Sequence, residues 1–92
     1  MITITYDTKH MRLTVDGHAG YAPAGQDIVC AAVSALTWTL AAAVAPTGGA
    51  ELSPGHSVLT GTDAAAPLFD CICTGLVRIA RQYPKHVKVE IV

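Results

Sequence analysis

Residues 17–36 read GHAGYAPAGQDIVCAAVSAL, with a lone histidine, His18, at the start and a lone cysteine, Cys30, well inside. A cysteine attacks a carbonyl only as its thiolate, and the free thiol has a pKa near ~8.5. Two surroundings lower that value: a helix N-terminus, whose unpaired amides favour negative charge, and a neighbouring imidazolium. Both are within reach here. His18 follows a strand-like run, and Cys30 stands just after Asp27, a strong capping residue, in the first turn of an apolar helical run. The loop between them is long enough to cross from a strand end to a helix start. It carries Gly20 and Gly25, whose backbone can approach a ligand closely. First-turn amides are candidate oxyanion donors. Asp27 opposes the thiolate through its own charge, unless its carboxylate bonds the first-turn amides or orients His18. The competing reading of Cys30 is packing, because cysteine is among the most buried residue types.

The flanking elements must bring the two groups together. Residues 2–7 alternate Ile2, Ile4 and Tyr6 against Thr3, Thr5 and Asp7. Residues 11–16 alternate Met11, Leu13 and Val15 against Arg12, Thr14 and Asp16. Period two on both sides of DTKH predicts a hairpin, which Gly17 ends. Residues 19–26 form a loop by their Gly and Pro content. Its alanines offer little anchorage, so it is expected to be mobile and to close over substrate. Tyr21, its only large side chain, either covers a bound peptide or packs on the protein's own surface.

A first helix is expected from Asp27 to about Val44. Val29, Val33, Leu36 and Leu40 share one side, and Ala31, Ala35, Trp38 and Ala42 another. Cys30, Ser34, Thr37 and Ala41 make a narrower, more polar stripe. Such a helix is expected to be sandwiched, with Trp38 and Tyr83 as core or interface anchors. Residues 50–53 and 57–61 are short strands around SPGH. Asp63 and Pro67 open a second helix, with Leu68, Ile72, Leu76, Ile79 and Tyr83 at helical spacing, and Pro84 ends it. Residues 86–92 make a last strand. The order ββ-α-ββ-α-β defines a single α+β domain, 1–92, with a mainly antiparallel sheet and two helices. Cys71 and Cys73, two apart on a helix, point in different directions and chelate poorly, so packing is preferred to metal binding. His10, His56 and His86 fall at turns or strand ends and are expected to be solvated.

Composition narrows the partners. Of 92 residues, 51% are hydrophobic and 14% charged, more apolar surface than one small core needs, which favours a homodimer. The net charge of −1 comes without a basic or acidic run, so neither nucleic acid nor an anionic membrane is expected as a partner. The longest apolar stretch, 28–45, is Ala-rich and interrupted by Ser34, Thr37 and Thr39, which reads as a buried helix. Three cysteines without an export-signal pattern point to a reducing cytoplasm. No cofactor and no metal are expected.

Residues 15–36, VDGHAGYAPAGQDIVCAAVSAL, resemble the signature of the ribosomal-processing cysteine protease family, Prp. In that family a Gly-His-Ala element and a Gly-x-Asp-Ile-Val-Cys-Ala-Ala-x-Ser-Ala element flank a loop of this length. The resemblance implies a homodimeric α+β fold and a Cys–His protease, with Cys30 as nucleophile and His18 as base. Gly17, Gly25, Asp27 and Ser34 fall on motif positions that shape or support the site. The implied substrate is the N-terminal extension of large-subunit ribosomal protein twenty-seven, cut after aromatic residues; a phage structural-protein precursor is the alternative. The segment 45–57 departs from the family in being short and rich in Gly and Pro. The competing class is a non-catalytic dimeric protein-binding module, which would use the same apolar helix without a reactive thiol.

Overall fold

The computed structural model describes all residues, 1–92. Strands β1 (Ile2–Asp7) and β2 (Arg12–Gly17) pair antiparallel, Ile2 opposite Gly17 and Asp7 opposite Arg12. Their alternation buries Ile2, Ile4, Tyr6 and Leu13 on one face. Asp7 closes the turn by accepting the Lys9 and His10 amides. Met11 takes φ +47 there, so it is a buried turn residue and β2 begins one position later than its alternation implied. Gly17 ends β2 at φ +93, where a side chain would run into the Met1 carbonyl, so the position demands glycine.

Helix α1 (Ile28–Val44) is capped by Asp27. It turns Val29, Val33, Thr37, Leu40, Ala41 and Val44 inward. Thr37 is tolerated in the core because its hydroxyl donates to the Val33 carbonyl at 2.8 Å. The inward face therefore combines two of the expected stripes. Trp38 is 63% exposed and is not a core anchor of this chain. The reason is architectural: α1 has the sheet beneath it and α2 beside it, and no element of the chain covers its outer side.

The hairpin β3 (Gly49–Ser53) and β4 (His56–Thr60) lies beyond β2. A 3-10 turn at Asp63–Ala65 leads into α2 (Ala66–Gln82), with Pro67 in its first turn. Phe69, Cys73 and Leu76 are its buried residues, whereas Leu68 is 44% exposed. The core-facing stripe is thus set by Phe69, one step round from Leu68. Phe69 is the bulkiest apolar side chain on the helix and stacks on Tyr6 at 5.9 Å between ring centroids. Cys73 is packed in the core, but Cys71 is exposed, which corrects the packing expectation for that residue. The Tyr6 hydroxyl donates to Asp70 Oδ1 at 2.8 Å, and burial together with that carboxylate pushes its pKa up to about 12.

Strand β5 (Val87–Ile91) completes the sheet, ordered β3-β4-β2-β1-β5. It runs parallel to β1, whereas the other three pairings are antiparallel, so the sheet is mixed but mainly antiparallel, as the alternation implied. A helical crossover permits what a tight turn cannot: α2 returns the chain to the end where β1 starts. Both helices cover one sheet face, and a single core of 17 buried residues lies between. No helix is long and apolar enough to cross a membrane.

Phe69→Ala is expected to cost about 3–5 kcal/mol, the usual range for deleting a buried aromatic. Urea unfolding measures it; a loss below about 1 kcal/mol would place the core elsewhere.

Candidate active site

The site is built at one end of the sheet. Ile2 pairs with Gly17 on one side and with Val87 on the other, so β2 exits where β1 and β5 begin. His18 leaves from that row. The Gly17 amide donates to the Gly55 carbonyl at 2.8 Å, which ties the exit to the β3–β4 turn. The His18 imidazole lies directly against Gly55: a Cβ there would come within 2.9 Å of Nε2. Gly55 also has φ +76, so conformation and close approach both require glycine. Ser53 Oγ braces the turn by donating to the His56 carbonyl at 2.7 Å.

Cys30 enters from the other side, half-buried in the first turn of α1. The Asp27 carboxylate accepts the Cys30 amide at 2.8 Å through Oδ1. Its Oδ2 accepts the amides of Tyr21 at 3.0 Å and Ala22 at 3.4 Å. The Cys30 amide leads in holding Asp27 below the usual carboxylate range, partly against the cost of desolvation, and the loop amides add to it. Of the two roles open to Asp27, it takes the amides, and no hydrogen bond joins it to His18. The Cys30 amide is therefore not free as an oxyanion donor.

His18 and Cys30 line the same cleft, of about 480 Å³, with Gly17 and Ser34. Val15, Val33, Trp38 and Leu52 give it apolar walls. Gly20 and Gly25 do not line it; at φ +66 and +83 they shape the loop. Tyr21 packs edge-on against Tyr83 and His86, at 5.5 and 5.4 Å between ring centroids, so it lies on the protein's own surface. The loop is better anchored than its composition implied: Ala19 is buried, and its carbonyl meets His86 Nδ1 at 2.9 Å. His86 is accordingly half-buried and bonded, not freely solvated. His56 borders the cleft, but the alternation of β4 turns its ring to the opposite face, where it pairs with Asp16, its register partner.

Sequence reasoning missed Gly55. Its signal was the PG turn between two short strands, but which side chain that turn would face depended on the sheet order.

A family model described as cysteine protease Prp matches residues 1–88. The chain is 34% identical over 103 aligned residues to the ribosomal processing cysteine protease Prp of Mycoplasma pneumoniae, covering 98% of this chain and 94% of that protein. The essential ribosomal processing protease Prp of S. aureus, in complex with a covalently linked product peptide, shares the fold at a TM-score of 0.90 and 22% identity, over all of both chains. The S. aureus enzyme with a substrate peptide gives 0.83 and 21%, again over both whole chains. The class of the protein is thus that of a cysteine protease. The chain belongs to the cysteine protease Prp family.

The lowered Asp27 pKa has a sign that can be tested. A depressed folded-state value contributes stability above the unfolded value, about 3.9, and the contribution is lost as pH falls through the folded value. Asp27→Ala should lower Tm at pH 6, and the gap to the parent should close below the ordinary carboxylate range. Thermal melts across that range check it; a gap that stays constant with pH would contradict the assignment.

Proposed function

We propose that this protease cleaves a precursor protein with Cys30 as nucleophile and His18 as general base and acid. The observation that carries the reading is that both side chains line one cleft in a chain of the Prp family. His18 takes the proton from the Cys30 thiol, and the thiolate attacks the scissile carbonyl carbon. The tetrahedral intermediate collapses as the imidazolium protonates the leaving amine, which breaks the C–N bond and leaves a thioester. His18 then removes a proton from water, which attacks the thioester, and the returning proton restores the thiol. Ser34 lies one helical turn beyond Cys30 on the same wall, and Asp27 holds the Cys30 amide and the loop together. Gly17 supports the exit of His18, while Gly20, Tyr21 and Gly25 shape the loop.

The substrate assigned by this reading is the N-terminal extension of large-subunit ribosomal protein twenty-seven, processed in the cytoplasm. The name of the Mycoplasma pneumoniae relative supports ribosomal processing. The apolar walls suit an extended peptide with large apolar side chains. Cys30→Ser and His18→Ala should each reduce cleavage of that precursor at least about 10³-fold, in keeping with loss of one member of a catalytic unit. Cys71→Ser should cleave at the parent rate, because that thiol is exposed on α2, outside the cleft. Mass spectrometry of the product reads the cut; cleavage at the parent rate by Cys30→Ser would overturn the assignment.

The working unit of this reading is a homodimer joined through α1. Ile28, Ala31, Ala35, Trp38, Ala42 and Ala45 are all exposed and follow an alternating three- and four-residue spacing. That spacing makes a straight apolar seam, and its alanines allow close approach of a second helix. A stable contact needs about 1,000 Å² or more. Light scattering at micromolar concentration should give a dimer mass, and Ala35→Arg a monomer; a monomer for the parent chain would contradict the seam.

A further inference from the structure

We infer that His86 is a positioning residue for His18. The inference rests on the reading of His18 as the general base, and it starts from the direction of β5. Because β5 runs parallel to β1, Val87 sits opposite Ile2, and Ile2 sits opposite Gly17. His86 and His18 therefore flank the two ends of one three-residue row. The row is two strand spacings wide, roughly 10 Å. Had β5 run antiparallel, its first residue would lie at the far end of β1, about 16 Å away at ~3.3 Å per residue.

The Ala19 carbonyl spans that gap. It meets His86 Nδ1 at 2.9 Å, and a carbonyl can only accept, so Nδ1 carries the proton and donates. Ala19 is the next residue after His18 and is 2% exposed. His86 is itself held from three sides. Its amide donates to the Tyr83 carbonyl, its carbonyl accepts the Ile2 amide, both at 2.9 Å, and its ring packs perpendicular to that of Tyr21.

The backbone on either side of His18 is thus fixed by two separate bonds. Gly17 is held by the Gly55 carbonyl, and Ala19 by the His86 imidazole. Gly55 packs against the Nε2 end of the His18 ring but does not set the torsions that follow it. Those pass through Ala19. A misplacement of a catalytic group by about 1 Å can cost about a hundredfold in rate, so loss of the His86 bond should appear in turnover.

The test separates the donor from the ring and from general stability. His86→Phe keeps an aromatic edge for Tyr21 and removes the donor; His86→Asn keeps a short donor and removes the ring. On the precursor peptide, His86→Phe should lower kcat about 10- to 100-fold with KM within about twofold, as expected for misplacement of a catalytic group. His86→Asn should restore kcat to within about threefold of the parent on the same argument. Iodoacetamide alkylation of Cys30 at neutral pH should slow in His86→Phe, but not slow further when His18→Ala is already present, because the effect passes through His18. An unchanged kcat in His86→Phe overturns the inference. So does equal loss in the Phe and Asn variants, or slower alkylation that persists in the His18→Ala background. If the Phe variant does not fold, His86→Ser, too short to reach the Ala19 carbonyl, carries the same expectations. His18→Ala with parental activity would instead overturn the general-base assignment on which the inference stands.

Discussion

The Asp27 carboxylate accepts the amides of Cys30, Tyr21 and Ala22, and the relation between thiol and loop depends on it. A helix N-terminus leaves amides without intrahelical partners, and a loop carries backbone donors that must be satisfied if it packs. One carboxylate answers both needs with its two oxygens. The electrostatic consequence is local. A negative charge so near the Cys30 thiol would oppose a thiolate there, but the carboxylate is engaged by the Cys30 amide first and by the loop amides after it, which is why its pKa falls. The same engagement removes Asp27 from any contact with His18.

With the acid tied to the backbone, the imidazole needs other supports, and they come from backbone where side chains are absent. Gly17 lets β2 end against the Met1 carbonyl, and Gly55 lets the β3–β4 turn lie under the His18 ring. Both occupy the left-handed region, so neither position accepts a side chain without strain. The short segment 45–57 is therefore part of the site. Its residues 52–57, the end of β3, the turn and the start of β4, form the wall opposite α1.

Helix α1 has more than one task. Its inner face closes the core through Val29, Val33, Leu40 and Val44. Its N-terminal turn presents Cys30, and its outer face is left apolar and uncovered. Trp38 belongs to that outer seam and also to the cleft wall. This uncovered apolar face is the surface that the proposed α1 seam would bury.

Much of the architecture was legible in the residues themselves. Period-two alternation marked β1 and β2, and the Asp27 cap and Pro84 bounded the helices, because strand pleat, capping and proline geometry act over a few neighbouring residues. The motif around His18 and Cys30 pointed to the family, and the structure brings both side chains to one cleft. Other features were decided only in three dimensions. Phe69 displaced Leu68 from the core because Tyr6, far off in sequence, was there to receive it. Trp38 stayed outside because no element returns to cover it. Gly55 came beneath His18 because β4 pairs with β2, and His86 reached Ala19 because β5 runs parallel to β1. Periodicity says which face of a strand is buried but nothing of its neighbour or its direction. Those depend on contacts between residues distant in the chain, and they exist only once the sheet has assembled.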